Sequence, residues 1–143
     1  MLRISLSTLA IVSVASLAIA ASPIADRQAL MKANGGATKA LVGMMKGETA
    51  FNLDAVKKAL TTYQQNADSF IALFPEGSDK GEKTSASPKI WSDMAGFKAA
   101  NDKFKADATA ALAAITDEAS FKATVPGVLK NCGACHEAYR LKD

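Results

Sequence analysis

Apolar residues recur at intervals of three and four along nearly the whole chain, and this spacing constrains the fold more than any other feature of the sequence. It places apolar side chains on one face of an α-helix, whereas a half-buried strand needs strict alternation of apolar and polar residues. No alternating run is long enough for a strand. The sequence therefore predicts an all-α protein.

The first twenty residues differ from the rest and have the features of a secretory signal. A single positive charge at Arg3 precedes the apolar stretch ISLSTLAIVSVASLAIA, and Ala18-Ile19-Ala20 has the small residues that a signal peptidase accepts. A buried N-terminal helix or a membrane anchor is the alternative, although the stretch is short for a membrane span. We therefore expect residues 1–20 to be a signal peptide. Residues 21–143 are then one domain exported to the periplasm, without membrane insertion of the mature chain.

Four amphipathic segments follow, and their ends carry helix start and stop residues. The segments run from about Ile24 to Lys46, from Asn52 to Pro75, from near Pro88 to Ile115, and from Thr116–Asp117 onward. Four helices joined mostly by short links indicate an up-down-up-down antiparallel four-helix bundle. Gly35–Gly36 in the first segment and Pro126 in the fourth leave open whether each segment is one kinked helix or two shorter ones.

Charge and composition exclude a nucleic acid partner. The formal net charge is +3, and it falls to about +2 once Arg3 is removed with the signal peptide. Aromatic residues make up 6% of the chain, too few for base-stacking platforms, and the lysines form no basic stripe.

All the cysteine and histidine of the chain lies in the C-terminal stretch NCGACHEAYR, as Cys132, Cys135 and His136. Positions three and four apart share one face of a helix, so the two thiols and the imidazole face the same way. C-x-x-C-H is the attachment motif of c-type haem. The thiols form thioethers to the porphyrin and the imidazole becomes an axial iron ligand. The motif predicts one covalently bound haem c with its iron.

Three other interpretations of the motif compete with haem. A structural disulfide in a haem-free bundle explains the cysteines but not the histidine. A redox pair of the thioredoxin type belongs at the start of a helix that follows a strand. A zinc site needs four ligands, and the chain has only three Cys and His residues. Once the haem ligands are assigned, no acid, base or nucleophile constellation remains, and no enzymatic turnover is expected.

A second axial ligand must lie upstream, since none of the seven residues after His136 is Met, His or Cys. The first and fourth helices run antiparallel, and both Met31 and His136 lie about 10 Å from the adjoining helix ends. Met44 and Met45 fall at the opposite end of the bundle, and Met94 lies in an aromatic stripe typical of packing. These positions favour Met31.

The chain resembles the class II c-type cytochromes, the cytochrome c′ and cytochrome c-556 family, over essentially all of residues 21–143. The stretches that carry the resemblance are RQALMKANGGATKAL, KGETAFN, LFPEGSDKG, SPKIWSDMAGFKAA and NCGACHEAYR. The resemblance implies that Cys132 and Cys135 hold the haem, that His136 is the proximal ligand, and that Met31 occupies the distal position.

The resemblance also implies further haem contacts. Arg27 and Gln28 match first-helix residues that contact the haem and its propionates. Thr84 and Ser85 match a loop that touches the haem edge, and Arg140 matches a basic residue one turn past the proximal histidine. A solvated surface charge is the alternative for either arginine.

Two functions are compatible with this resemblance. The stretch LMKANG is closer to the c-556 pattern, in which the distal methionine ligates the iron. That pattern implies an electron carrier that exchanges electrons with periplasmic redox partner proteins. In the c′ pattern, Met31 would only crowd the distal face, and a five-coordinate iron would bind nitric oxide or carbon monoxide. Members of this kind are often monomers or dimers, so a homodimer is among the expected states.

Overall fold

The computed structural model describes residues 22–80 and 83–142, and the predicted signal peptide lies outside these residues. The described residues form the helices α1 (Pro23–Met45), α2 (Leu53–Phe70), α3 (Lys89–Ser92), α4 (Met94–Ala114) and α5 (Glu118–Tyr139). The four long helices pack in order, α1 on α2, α2 on α4 and α4 on α5. The prediction of an all-α four-helix bundle is confirmed. In this part of the chain, no helix is both long and apolar enough to cross a bilayer.

Each long helix begins at a side-chain cap that accepts a hydrogen bond from a backbone N–H of its first turn. The caps are Ser22, Asn52, Asp93 and Asp117, the last of them in a capping box with Ser120. Such caps stabilise a helix end because they satisfy donors that have no partner within the helix. The caps at Asn52 and Asp117 are those that the sequence predicts.

Two of the predicted segments are single helices and one is interrupted. α1 continues through Gly35–Gly36 and α5 through Pro126, so neither segment is divided. The third segment is broken at Asp93, whose backbone angles (φ −137°, ψ 52°) are not helical. Its carboxylate caps α4 by accepting from Gly96 N, and it also accepts a hydrogen bond from Tyr139 Oη of α5.

The two ends of the bundle differ in how they are filled. At one end, here called the closed end, the described residues form a buried core of twelve residues, Leu41, Met44, Val56, Ala59, Leu60, Tyr63, Ala108, Ala111, Ile115, Phe121, Val125 and Val128. The other end, the open end, has a smaller buried cluster of Phe74, Ile90, Phe97 and Tyr139. α1 and α5 make little direct contact, and the space between them is the site described next.

Candidate functional site

A cavity of about 580 Å³ opens between α1 and α5 at the open end of the bundle. This volume is within the range of small-molecule and cofactor pockets, roughly 300–1,000 Å³. The cavity is lined by all nine residues that the sequence and the resemblance single out, which are Arg27, Gln28, Met31, Thr84, Ser85, Cys132, Cys135, His136 and Arg140. The fold thus brings together residues more than 100 positions apart in the chain.

The wall formed by α5 carries the C-x-x-C-H motif in the last turns of that helix. Cys132 and Cys135 are half-buried free thiols, and burial raises the pKa of each. Desolvation by neighbouring protein atoms, and then the positive charge of Arg140, lower the pKa of the His136 imidazole, which is otherwise exposed at the cavity. The histidine is therefore neutral at pH 7, which is the form that ligates a metal.

The opposite wall, formed by α1, carries Met31. This residue is half-buried and lines the cavity, whereas Met44 belongs to the closed-end core and Met45 packs against that core. Met94 packs against the aromatic cluster around Phe97. Among the described methionines, Met31 alone lines the cavity that also contains His136.

Arg27 is a buried charge, with only 4% of its surface exposed, so the alternative of a solvated surface residue is wrong. Its guanidinium donates to Ser78 O at 2.8 Å, to Thr84 Oγ1 at 3.0 Å and to Leu73 O at 3.3 Å. It also lies 4.7 Å from the ring centroid of Phe74. A buried charge is tolerated when it is paired and hydrogen-bonded in this way, and here Arg27 fixes the loop after α2 against α1.

The remaining candidates form the rim of the cavity. Gln28 Nε2 donates to the carbonyl of Lys83 at 2.8 Å, and Leu141 N donates to Ser85 O at 2.8 Å. Arg140 is exposed, and its backbone pairs with Ala86 in an isolated antiparallel bridge. These bonds hold residues 83–86 between the start of α1 and the end of α5.

Sequence reasoning missed a polar network on the wall beside Met31. Asn66, which is 9% exposed, donates to Leu30 O at 3.2 Å and to Asn34 Oδ1 at 2.7 Å. Its partners precede and follow Met31 along α1, so the amide ties the turn that carries Met31 to α2. An asparagine among the apolar positions of the second segment was the available signal, since buried amides need hydrogen-bond partners.

A second polar pair lies further along α1, where Thr38 also lines the cavity. Thr38 Oγ1 and Tyr63 Oη lie 2.6 Å apart, and Tyr63 is fully buried. Burial raises the pKa of Tyr63 to about 12, opposed by the hydrogen bond to Thr38. The hydroxyl therefore stays protonated and links α1 to α2 where the cavity meets the closed-end core.

The donor set and the shape of the cavity fit a covalently held haem. The thiols and the imidazole lie on one wall and a thioether lies on the other, while Phe70, Phe74, Phe97 and Phe104 supply the apolar surface that a porphyrin face requires. Within residues 22–80 and 83–142, no group of three or more His, Cys, Asp or Glu side chains is arranged to hold a metal ion. The zinc interpretation therefore gains no support.

The fold and the site together define a helical-bundle haem protein of the c type, and comparison with known proteins gives the family. The family model described as cytochrome c′ matches residues 22–140. Cytochrome c′ of Rhodopseudomonas palustris is 45% identical over 119 residues, which are 83% of this chain and 82% of that protein. Cytochrome c-556 of Agrobacterium fabrum is 41% identical over 124 residues, 86% of this chain and 84% of that one.

A solved structure agrees with these matches. The structure of cytochrome c′ from Rhodopseudomonas palustris superposes with a TM-score of 0.84 at 44% identity, covering 86% of this chain and 98% of that one. The chain belongs to the cytochrome c′ family. The cofactor of this family is a covalently attached haem c with iron, and the prediction of that cofactor is confirmed.

Proposed function

We propose that the protein is a periplasmic monohaem electron carrier. In this proposal Cys132 and Cys135 hold the haem, His136 is the proximal ligand, and Met31 is the sixth ligand. The observation that carries the proposal is that Met31 and His136 line one cavity from opposite helices. When bound, the haem iron supplies a one-electron couple, and a thioether ligand favours its reduced state.

The surrounding side chains support transfer without rearrangement. Asn66 bonds on both sides of Met31 and so restrains the turn of α1 that presents the thioether. Phe74 and Phe97 give the cavity a buried apolar wall. The lowered pKa keeps His136 neutral at pH 7, so it needs no proton loss to act as a ligand. Neutral ligands held by such contacts suit electron transfer with periplasmic redox proteins.

The test is the spectrum of the purified holoprotein and of Met31→Ala. We expect the ferric protein to show the weak near-infrared charge-transfer band of iron–methionine ligation, and we expect Met31→Ala to abolish it. Met94→Leu is the matched control, since Met94 packs outside the cavity, and it should retain the band. A high-spin ferric spectrum that Met31→Ala leaves unchanged would rule out Met31 as a ligand.

A second candidate function is the binding of nitric oxide or carbon monoxide at a vacant sixth position. Gly35, one turn after Met31, lines the cavity, and a Cβ at this position would meet nothing within 4 Å. Because helical side chains lean toward the N-terminus, a side chain at 35 would cover the turn of Met31. Because glycine has no side chain, Met31 has room to move aside. Rapid carbon monoxide binding without loss of a protein ligand would favour this function.

A further inference from the structure

One turn after His136, Tyr139 is bonded to the junction between α3 and α4. Its hydroxyl donates to Asp93 Oδ2 at 2.8 Å, and the other oxygen of that carboxylate accepts from Gly96 N at 3.1 Å. A single carboxylate thus caps α4 and holds the end of α5. We infer that Tyr139 and Asp93 form a positioning pair that fixes the orientation of His136 toward the haem. This inference rests on the proposed role of His136 as proximal ligand.

Gly96 shows how closely the pair is packed. A Cβ at Gly96 would lie 2.5 Å from Tyr139 Oη and 2.5 Å from Asp93 Oδ2, closer than real Cβ contacts allow. Glycine is a poor helix former, yet it occupies the first turn of α4. The close approach of the hydroxyl and the carboxylate explains why a side chain is absent there.

The hydrogen bond is charge-assisted. The bond from Tyr139, followed by the one from Gly96, lowers the pKa of the Asp93 carboxyl, so this group is ionised at neutral pH. A phenol donating to a carboxylate makes a shorter and stronger bond than two neutral groups do. The tyrosine can therefore restrain the helix that carries it.

Other contacts hold the same end of α5. Ser87 N donates to Tyr139 O at 3.0 Å, and the Tyr139 ring packs edge-on against Phe97 with centroids 5.2 Å apart. The amino group of Lys89 lies 5.3 Å from the centre of the Tyr139 ring. Since residues one turn apart share a helix face, restraint of Tyr139 from several sides also restrains the turn that carries His136.

The thiol end of the C-x-x-C-H motif is held by a different contact from the one between Tyr139 and Asp93. Asn131, just before Cys132, donates to Asp107 Oδ2 at 2.7 Å and so ties the thiol end of the motif to α4. Asp93 and Asp107 thus hold the two ends of the segment that carries the thiols and the imidazole. Of these two carboxylate contacts, the one with Asp93 is made by a residue after His136, and the one with Asp107 is made by a residue before Cys132.

The experiment compares Tyr139→Phe with Tyr63→Phe in the haem-loaded protein. Both changes delete a hydroxyl that makes one side-chain hydrogen bond. Tyr63 is on α2 and bonds Thr38 of α1, so its loss leaves the contacts of the end of α5 in place. The readouts are the ferric electron paramagnetic resonance spectrum, the midpoint potential and the melting temperature. We expect both variants to melt at lower temperature, and only Tyr139→Phe to broaden the resonance lines and shift the potential.

Asp93→Ser separates the capping role of the carboxylate from its bond to the tyrosine. Serine is a good N-cap, so this variant keeps the start of α4 and removes the oxygen that accepts from Tyr139. It should reproduce the spectral change of Tyr139→Phe, and the double variant should add nothing further, as expected for two partners in one interaction.

The outcomes separate the two proposals. A haem-loaded Tyr139→Phe protein with the parent resonance spectrum and potential overturns the positioning role while leaving the proposed function intact. A parent protein without attached haem after maturation in a competent host overturns both. The resonance spectrum also reports on the histidine if Met31 proves not to be a ligand.

Discussion

At the closed end of the bundle, twelve buried side chains fill the space between the helices, whereas at the open end hydrogen bonds and a loop hold the helices around a cavity. Hydrophobic burial is the main source of stability at the closed end. At the open end, α1 and α5 lie apart and the buried cluster has four members. The difference indicates that stability and cofactor binding are divided between the two ends of the same four helices.

The strongest test of this division is removal of both thiols with Cys132→Ala and Cys135→Ala together. We expect complete loss of covalent haem, because the sequence has only these two cysteines. We also expect the helicity to be retained, because neither change touches the closed-end core. Intact mass and circular dichroism measure the two effects. Gly133→Ala is the control, since a Cβ between the cysteines would meet nothing within 4 Å, and it should keep the haem. Global unfolding of the haem-free variant would contradict the division.

A large cavity at the closed end should cost stability without altering the haem. Phe121 is fully buried, and Phe121→Ala should lower the free energy of unfolding by about 3–5 kcal/mol. Phe97→Ala, at the open end, should in addition change the visible spectrum, since Phe97 lines the cavity. Denaturant unfolding measures the loss of stability in each variant, and absorption spectra measure the change at the haem. Equal spectral changes in both variants would show that the ends are not independent.

Loss of the buried guanidinium should have a smaller effect that is confined to the open end. Arg27→Met leaves its acceptors on Ser78 and Thr84 without that donor, at a cost of about 1–3 kcal/mol. Amide hydrogen exchange should increase in residues 75–80 and 83–88 and stay unchanged in the closed-end core. Arg140→Met is the matched control, because Arg140 is exposed, and the same change there should alter exchange less.

The smallest effect is expected from the paired glycines of α1. Gly35→Ala and Gly36→Ala should each stabilise the helix by up to about 1 kcal/mol, since a Cβ meets nothing within 4 Å at either position. Only Gly35 lines the cavity, so only Gly35→Ala should slow carbon monoxide binding. Stopped-flow mixing of the ferrous proteins measures this rate. Equal binding rates in both variants would remove the argument that Gly35 provides space beside Met31.

Local sequence patterns predicted most of the fold because they are themselves local. The caps at Asn52 and Asp117 and the four apolar stripes define the long helices. The C-x-x-C-H motif is likewise five consecutive residues, and comparison of helix ends together with the family resemblance selected Met31. The predicted roles of these residues as haem ligands remain predictions.

Contacts between distant residues could not be predicted from local patterns. Arg27 is bonded to partners 46–57 positions away, and Asp93, where the third segment is broken, bonds Tyr139 46 positions later. Neither the contacts of Arg27 nor the contact between Asp93 and Tyr139 can be seen in the periodicity of apolar residues. The same holds for Asn66, whose hydrogen bonds to α1 cross between two helices.

The narrow contact between α1 and α5 has a consequence for the order of assembly. The thiols lie in the last dozen residues, on a wall that α1 does not cover, so they stay reachable while the apolar packing at the far end is already complete. Regions of one domain can form with different local stability. Such a chain can receive its porphyrin once the closed end has formed with Leu41 and Met44 of α1, and the N-terminal turns of that helix can pack over it afterwards.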